Sequence, residues 1–102
     1  MVDGPAEPRL TPAARRDLED IWDWTAEAFS PDQADAYLRG LAEALSLIAA
    51  QPGIGRERPE IAPPVRLHPW RSHLIVYRAE AEGVLVIRVP HARRDWRALL
   101  EG

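Results

Sequence analysis

The sequence predicts an α+β domain in two layers, a helical hairpin packed on an antiparallel sheet, with elements in the order β-α-α-β-β-β-α. Three observations carry this expectation. Two long stretches in the first half place apolar residues at spacings of three and four. A Pro/Gly-rich passage then ends the helical pattern. Three short runs rich in Val, Ile and Leu follow it, separated by turn residues.

Residues 1–8 read as a flexible lead-in, and residues 9–102 as a single domain. Pro8-Arg9-Leu10-Thr11 has the character of a short first strand. Thr11-Pro12 is a helix start, since threonine can cap and proline suits the first helical position. Ala14, Leu18, Ile21, Trp22, Thr25 and Phe29 then mark one helix face. Asp17, Glu19, Asp20, Asp23 and Glu27 make the rest acidic.

Ser30-Pro31-Asp32-Gln33 opens a second helix with the pattern of a capping box. Its apolar stripe is Ala34, Tyr37, Leu38, Leu41, Leu45, Ile48 and Ala49, and Gln51-Pro52-Gly53 stops it. Two amphipathic helices with almost no loop between them form an αα-hairpin.

Gly53 to Pro64 reads as a loop carrying Arg56 and Arg58. Val65–His68 alternates, and Pro69 at its end suits an edge strand. Leu74–Arg78 is continuously apolar up to its last residue, as in a central strand buried on both faces. Val84–Val89 is the third run. Trp96, Leu99 and Leu100 mark a short terminal helix. Three consecutive strands with short turns predict an antiparallel meander, and the hairpin must bury its stripe on one face of it.

Composition limits the chemistry. There is no cysteine, which excludes disulfides, thiolate nucleophiles and Cys-based zinc sites. His68, His73 and His91 have no close helical pairing, so no metal site and no cofactor are expected. All cationic side chains are arginine, so no reaction here uses a lysine amine. No apolar run approaches a membrane span of roughly 18 residues, and the N-terminus lacks an apolar signal region, which gives a cytoplasmic expectation.

The net charge of −3 is unevenly divided. Residues 1–52 hold four arginines against ten acids, whereas residues 53–102 hold nine arginines against six acids. An acidic chain is a poor general nucleic-acid binder, but a basic half can face an acidic partner. Arg56, Arg58, Arg66, Arg71, Arg93, Arg94 and Arg97 are the candidates for such a surface, with a solvated face balanced by Glu57, Glu60 and Asp95 as the alternative. Among the tryptophans, Trp22 reads as core and Trp24 lies off the stripe, covering the hairpin or a partner. Trp96 reads as the dock of the last helix, and Trp70 at a strand end reads as exposed. Tyr77 reads as core, with a partner for its hydroxyl.

Several stretches taken together resemble the RelE/ParE toxin superfamily, most closely its ParE branch. They are Arg9–Ala14 with Asp17–Trp24, Leu47–Arg56, His73–Arg78, and Val86–Trp96. The likeness spans roughly residues 9–100 and rests on the order and spacing of these stretches. It implies a toxin of a type II toxin–antitoxin pair, bound and blocked by a cognate antitoxin. For the ParE branch it implies inhibition of DNA gyrase. No membrane partner and no direct sequence-specific DNA binding are expected of this chain. For the RelE branch it implies ribosome-dependent cleavage of messenger RNA. An inactive homologue acting only in the antitoxin's repressor complex is a third possibility.

The residues nearest to a nuclease set are Glu57 or Glu60, Arg66, Arg71 and His91. His91 could shuttle a proton near neutral pH. The simpler reading is a histidine that ends a strand and bonds locally. With no lysine and an acidic balance, the gyrase-directed expectation is preferred, with Arg56, Arg58, Arg66, Trp70, Arg71, Arg93, Arg94 and Arg97 as its partner-binding surface.

Overall fold

The computed structural model describes residues 7–101. Most of the expected lead-in therefore lies outside the described residues. The elements are β1 (Arg9–Leu10), α1 (Pro12–Ala28), α2 (Pro31–Ala50), a 3₁₀ turn (Pro52–Ile54), β2 (Arg56–Arg58), β3 (Val65–Trp70), β4 (His73–Glu80), β5 (Gly83–Arg88) and α3 (Trp96–Glu101).

Both helix starts form as their sequences require. Thr11 accepts from the Ala14 amide at 3.0 Å, and Ser30 from the Gln33 amide at 3.0 Å. The Thr11 hydroxyl also donates to the Ile87 carbonyl at 2.7 Å, so one side chain caps α1 and ties it to the sheet.

The sheet order is β1-β5-β4-β3-β2. The β2–β3–β4–β5 ladders are antiparallel, and β1 adds a short parallel edge beside β5. The sheet is thus mixed at that one edge. A further difference is β2, which lies within the stretch expected to be loop. Arg56-Glu57-Arg58 has no apolar alternation, and its strand character comes only from backbone pairing with Leu67, Arg66 and Val65. β3 is therefore not the edge strand that Pro69 suggests, since β2 covers Val65–Leu67; Pro69 is tolerated because it falls beyond that pairing, where β3 has no outer neighbour among the described residues.

β4 is central, and Ile75, Val76 and Tyr77 are all buried. Ile75, Tyr77, Val84 and Val86 pack with Ile21, Leu41, Leu45 and Ile48 of the hairpin. On the opposite face Val65, Leu67 and Val76 meet Ile61, Leu74, Ile87, Trp96 and Leu100. Trp96 therefore docks α3, as its sequence suggests. The Tyr77 hydroxyl donates to the Pro52 carbonyl at 2.7 Å and accepts from the Gly55 amide at 2.8 Å, fixing the passage from α2 to β2.

Three expectations for α1 change. Asp17 is not on a solvated outer face. Its carboxylate accepts twice from Arg88, at 2.8 and 2.9 Å, and once from the Val89 amide at 2.8 Å. Phe29, assigned to the core stripe, is 64% exposed, because the helix ends at Ala28 and the chain turns away. Trp22 is half-buried rather than core, and its indole donates to Asp35 of α2 at 2.8 Å.

Candidate functional site

A groove of about 860 Å³ opens where the hairpin meets the β3–β4 turn and the segment after β5. Its hairpin wall carries Asp17, Asp20, Ile21, Trp24, Phe29 and Tyr37. Its other wall carries Arg71, His73, Val89, Pro90, His91 and Arg94. The strand register explains the second wall. Trp70 pairs with His73 around the Arg71-Ser72 turn, and His73 forms an isolated antiparallel bridge with His91. Bonds from Leu74 N to Pro90 O (2.9 Å) and from Ala92 N to Ser72 O (2.8 Å) hold the two segments together.

Tyr37, on the apolar stripe of α2, places its hydroxyl 2.8 Å from His73 Nδ1. In the neutral ring with its proton on Nε2, Nδ1 accepts this bond. The His73 and His91 rings lie edge to face, with centroids 5.6 Å apart. Burial, and then the neighbouring His91, push His73 below its ordinary pKa, while Asp17 pulls the other way. His91 is exposed, and its Nδ1 accepts from the Arg93 amide at 3.2 Å.

Below the rim, Tyr37 and Trp70 meet edge to face at 4.8 Å. The Arg71 guanidinium lies 5.0 Å from the Trp70 ring centroid and 5.9 Å from that of Tyr37. Trp70 is thus half-buried against the hairpin, not the exposed residue its position at a strand end suggests. Gly40 makes room for it. A Cβ there would stand 3.0 Å from the indole. Across the groove, Trp24 is 65% exposed and touches Phe29 edge to face at 6.0 Å.

The arginines that sequence nominates for partner binding divide into separate groups. Arg71 and Arg94 line the groove, with Trp70 packed beside Arg71. Exposed Arg93 lies two residues after His91, whose Nδ1 accepts from its amide. Arg58 and Arg97 instead share Glu60, at 3.0 and 2.7 Å, and both lie over Trp96. The Glu60 carboxyl is lowered first by a backbone amide and then by Arg58. Arg56 is exposed on β2, and Arg66 donates to the Gly55 carbonyl at 2.8 Å.

The nuclease candidates divide in the same way. Glu57 pairs with Arg66 near the start of β3, whereas Arg71 lies past its end and faces the segment of His91. Leu67 to Trp70 separate Arg66 from Arg71, so five strand rises set them roughly 16 Å apart. Tyr37, His73 and Phe29 are site residues that sequence reasoning did not nominate. Tyr37 is hidden in a core stripe, and His73 gains meaning only from the register that sets it opposite His91. Among the described residues, no group of three or more His, Asp or Glu side chains is placed to hold a metal ion. The groove offers instead an apolar floor, titratable rings and guanidiniums suited to an oxyanion.

Comparison with known proteins agrees with this architecture. The family model for the ParE toxin of the type II toxin–antitoxin system parDE matches residues 9–96. Toxin ParE1 of Mycobacterium tuberculosis (strain ATCC 25618 / H37Rv) is 46% identical over 87 residues, covering 84% of this chain and 89% of that protein. Toxin ParE1 of Caulobacter vibrioides is 34% identical over 92 residues, covering 90% and 95%. A chain from the solved structure "Chromosomal ParDE TA system from P. aeruginosa" superposes with a TM-score of 0.68 at 22% identity, covering 85% of this chain and 96% of that one, a likeness of fold. The chain belongs to the ParE toxin family of type II toxin–antitoxin systems.

Proposed function

We propose that this chain is a cytoplasmic toxin that inhibits DNA gyrase by binding it, performs no covalent chemistry of its own, and is held inactive by a cognate antitoxin. The family assignment is the basis for the toxin–antitoxin role. One observation favours binding over catalysis. The residues nearest to a nuclease set lie at opposite ends of β3, with Arg66 bonded to the Gly55 carbonyl. A phosphoryl-transfer site needs its cations and its proton-transfer pair around one reacting atom. A protein that binds gyrase needs only complementary surface.

A second reading has one observation in its favour. Arg71, His73 and His91 line the same groove, and two histidines beside a guanidinium are a plausible start for RNA cleavage. Induction in cells without antitoxin separates the readings. The gyrase reading expects the DNA-damage response and filamentation, with translation continuing at first. Early transcript cleavage with arrested translation would replace it with the nuclease reading. Normal growth would point to an inert partner in the antitoxin's repressor complex.

A further inference from the structure

Arg71 combines three features found together at no other arginine among the described residues. It is the one non-glycine residue with positive φ (52°) among the described residues, a conformation costly for any side chain with a Cβ. Its guanidinium is stacked against Trp70 and Tyr37. Arg58 and Arg97 also lie over an aromatic ring, but both are paired with Glu60, whereas Arg71 has no carboxylate partner among the described residues. A glycine would make this two-residue turn with less strain.

The stack covers part of the guanidinium with aromatic surface and holds it at the groove rim. The residue is exposed and lines the groove. A planar fork held in this way is suited to a bidentate oxyanion. Across the groove, the hairpin wall is apolar at Ile21, Trp24 and Phe29. The facing wall bears Asp17 and Asp20, and Asp23 and Glu27 continue along the same helix. Asp17 is neutralised by Arg88, but Asp20, Asp23 and Glu27 repel a polyanion lying along the groove and leave room for a single carboxylate at Arg71.

We propose that Arg71 is a preset receptor for one Asp or Glu side chain of the antitoxin, whose neighbouring apolar side chains lie in the groove between Trp24 and Pro90. This rests on the reading of the chain as a toxin held by a protein partner.

The test uses the toxin with its purified cognate antitoxin. Arg71→Gly removes the guanidinium while relieving the backbone, so misfolding does not confound it. The expected result is at least a tenfold loss of affinity for the antitoxin, with a melting temperature equal to or above that of the wild type. Arg71→Lys should recover only part of the loss, since it keeps charge without the fork. Arg15→Ala, at an exposed arginine of α1 outside the groove, should change affinity less than twofold. Arg71→Gly binding the antitoxin within twofold of the wild type, with the fold intact, would overturn the proposal. So would a single-stranded DNA 20-mer that binds wild type and loses that binding in Arg71→Gly while antitoxin affinity is unchanged, since the receptor would then serve phosphate. A wild-type toxin that does not bind the antitoxin at all would overturn the partner reading itself, and the proposal with it.

Discussion

The Asp17 carboxylate grips the Arg88 guanidinium with two hydrogen bonds, at 2.8 and 2.9 Å, and so fastens the first helix to the last strand across 71 residues of sequence. Both side chains are largely covered, at 12% and 23% exposure, and the same carboxylate also accepts from the Val89 amide. Asp17→Ala would leave a part-buried guanidinium and a backbone amide unpaired. The expected cost is about 2–3 kcal/mol, a drop in melting temperature on the order of 10 °C for a domain of this size. Thermal denaturation of the variant checks it, and a shift of only a degree or two would mean that the pair is solvated in solution.

Tyr77 supports a second prediction. Its hydroxyl is both donor to Pro52 and acceptor from Gly55. Tyr77→Phe should cost about 2 kcal/mol, because the Gly55 amide is left buried without a partner. Gly55→Ala should be at least as harmful. Its Cβ would come within 2.5 Å of the Tyr77 oxygen and 3.0 Å of the Leu67 carbonyl. Urea denaturation measures both, and a stable Gly55→Ala protein would show that the passage from α2 to β2 can shift.

These contacts also mark how far the sequence alone carries the fold. The caps at Thr11 and Ser30, the stripe of α2, the buried β4 and the docking of Trp96 all follow from local pattern. Even the need of Tyr77 for a hydroxyl partner was readable, because a buried phenol rarely goes unpaired. β2 was not readable, since Arg56-Glu57-Arg58 pairs through backbone alone. The inward role of Asp17 was not readable either, because helical spacing does not say which acid meets a cation on a distant strand. The site was legible only in part. Arg71, His91 and Arg94 were nominated as residues, but the groove that gathers them depends on strand register. The seat of Trp70 depends on the absence of a side chain at Gly40, thirty positions earlier.

His73 predicts a pH dependence. Burial and His91 hold its pKa below the ordinary value of 6.5. Between that value and the lower folded one, the unfolded chain binds a proton that the folded chain does not. Stability is therefore full above about pH 6.5 and falls as pH drops through the folded pKa. Protonation also removes the acceptor for the Tyr37 hydroxyl. Urea midpoints measured at about pH 7.5 and about pH 5 should differ more for the wild type than for His73→Gln. Equal differences would place the acid sensitivity elsewhere.

His91 separates binding from catalysis. It is exposed, and its only side-chain hydrogen bond among the described residues is to the Arg93 amide, so His91→Ala should cost less than about 1 kcal/mol of stability. If the chain binds rather than cleaves, the variant should retain most of its toxicity when induced without antitoxin. A folded but harmless variant would argue for a proton-transfer role.

The most direct measurement is made on purified components. The toxin, free of antitoxin, is incubated with its host's DNA gyrase, supercoiled plasmid and ATP. The account predicts loss of supercoiling activity, or gyrase-linked linear DNA released on denaturing the enzyme, and reversal when antitoxin is added. Unaltered gyrase activity at excess toxin, together with cleavage of messenger RNA on purified ribosomes by the same preparation, would contradict it.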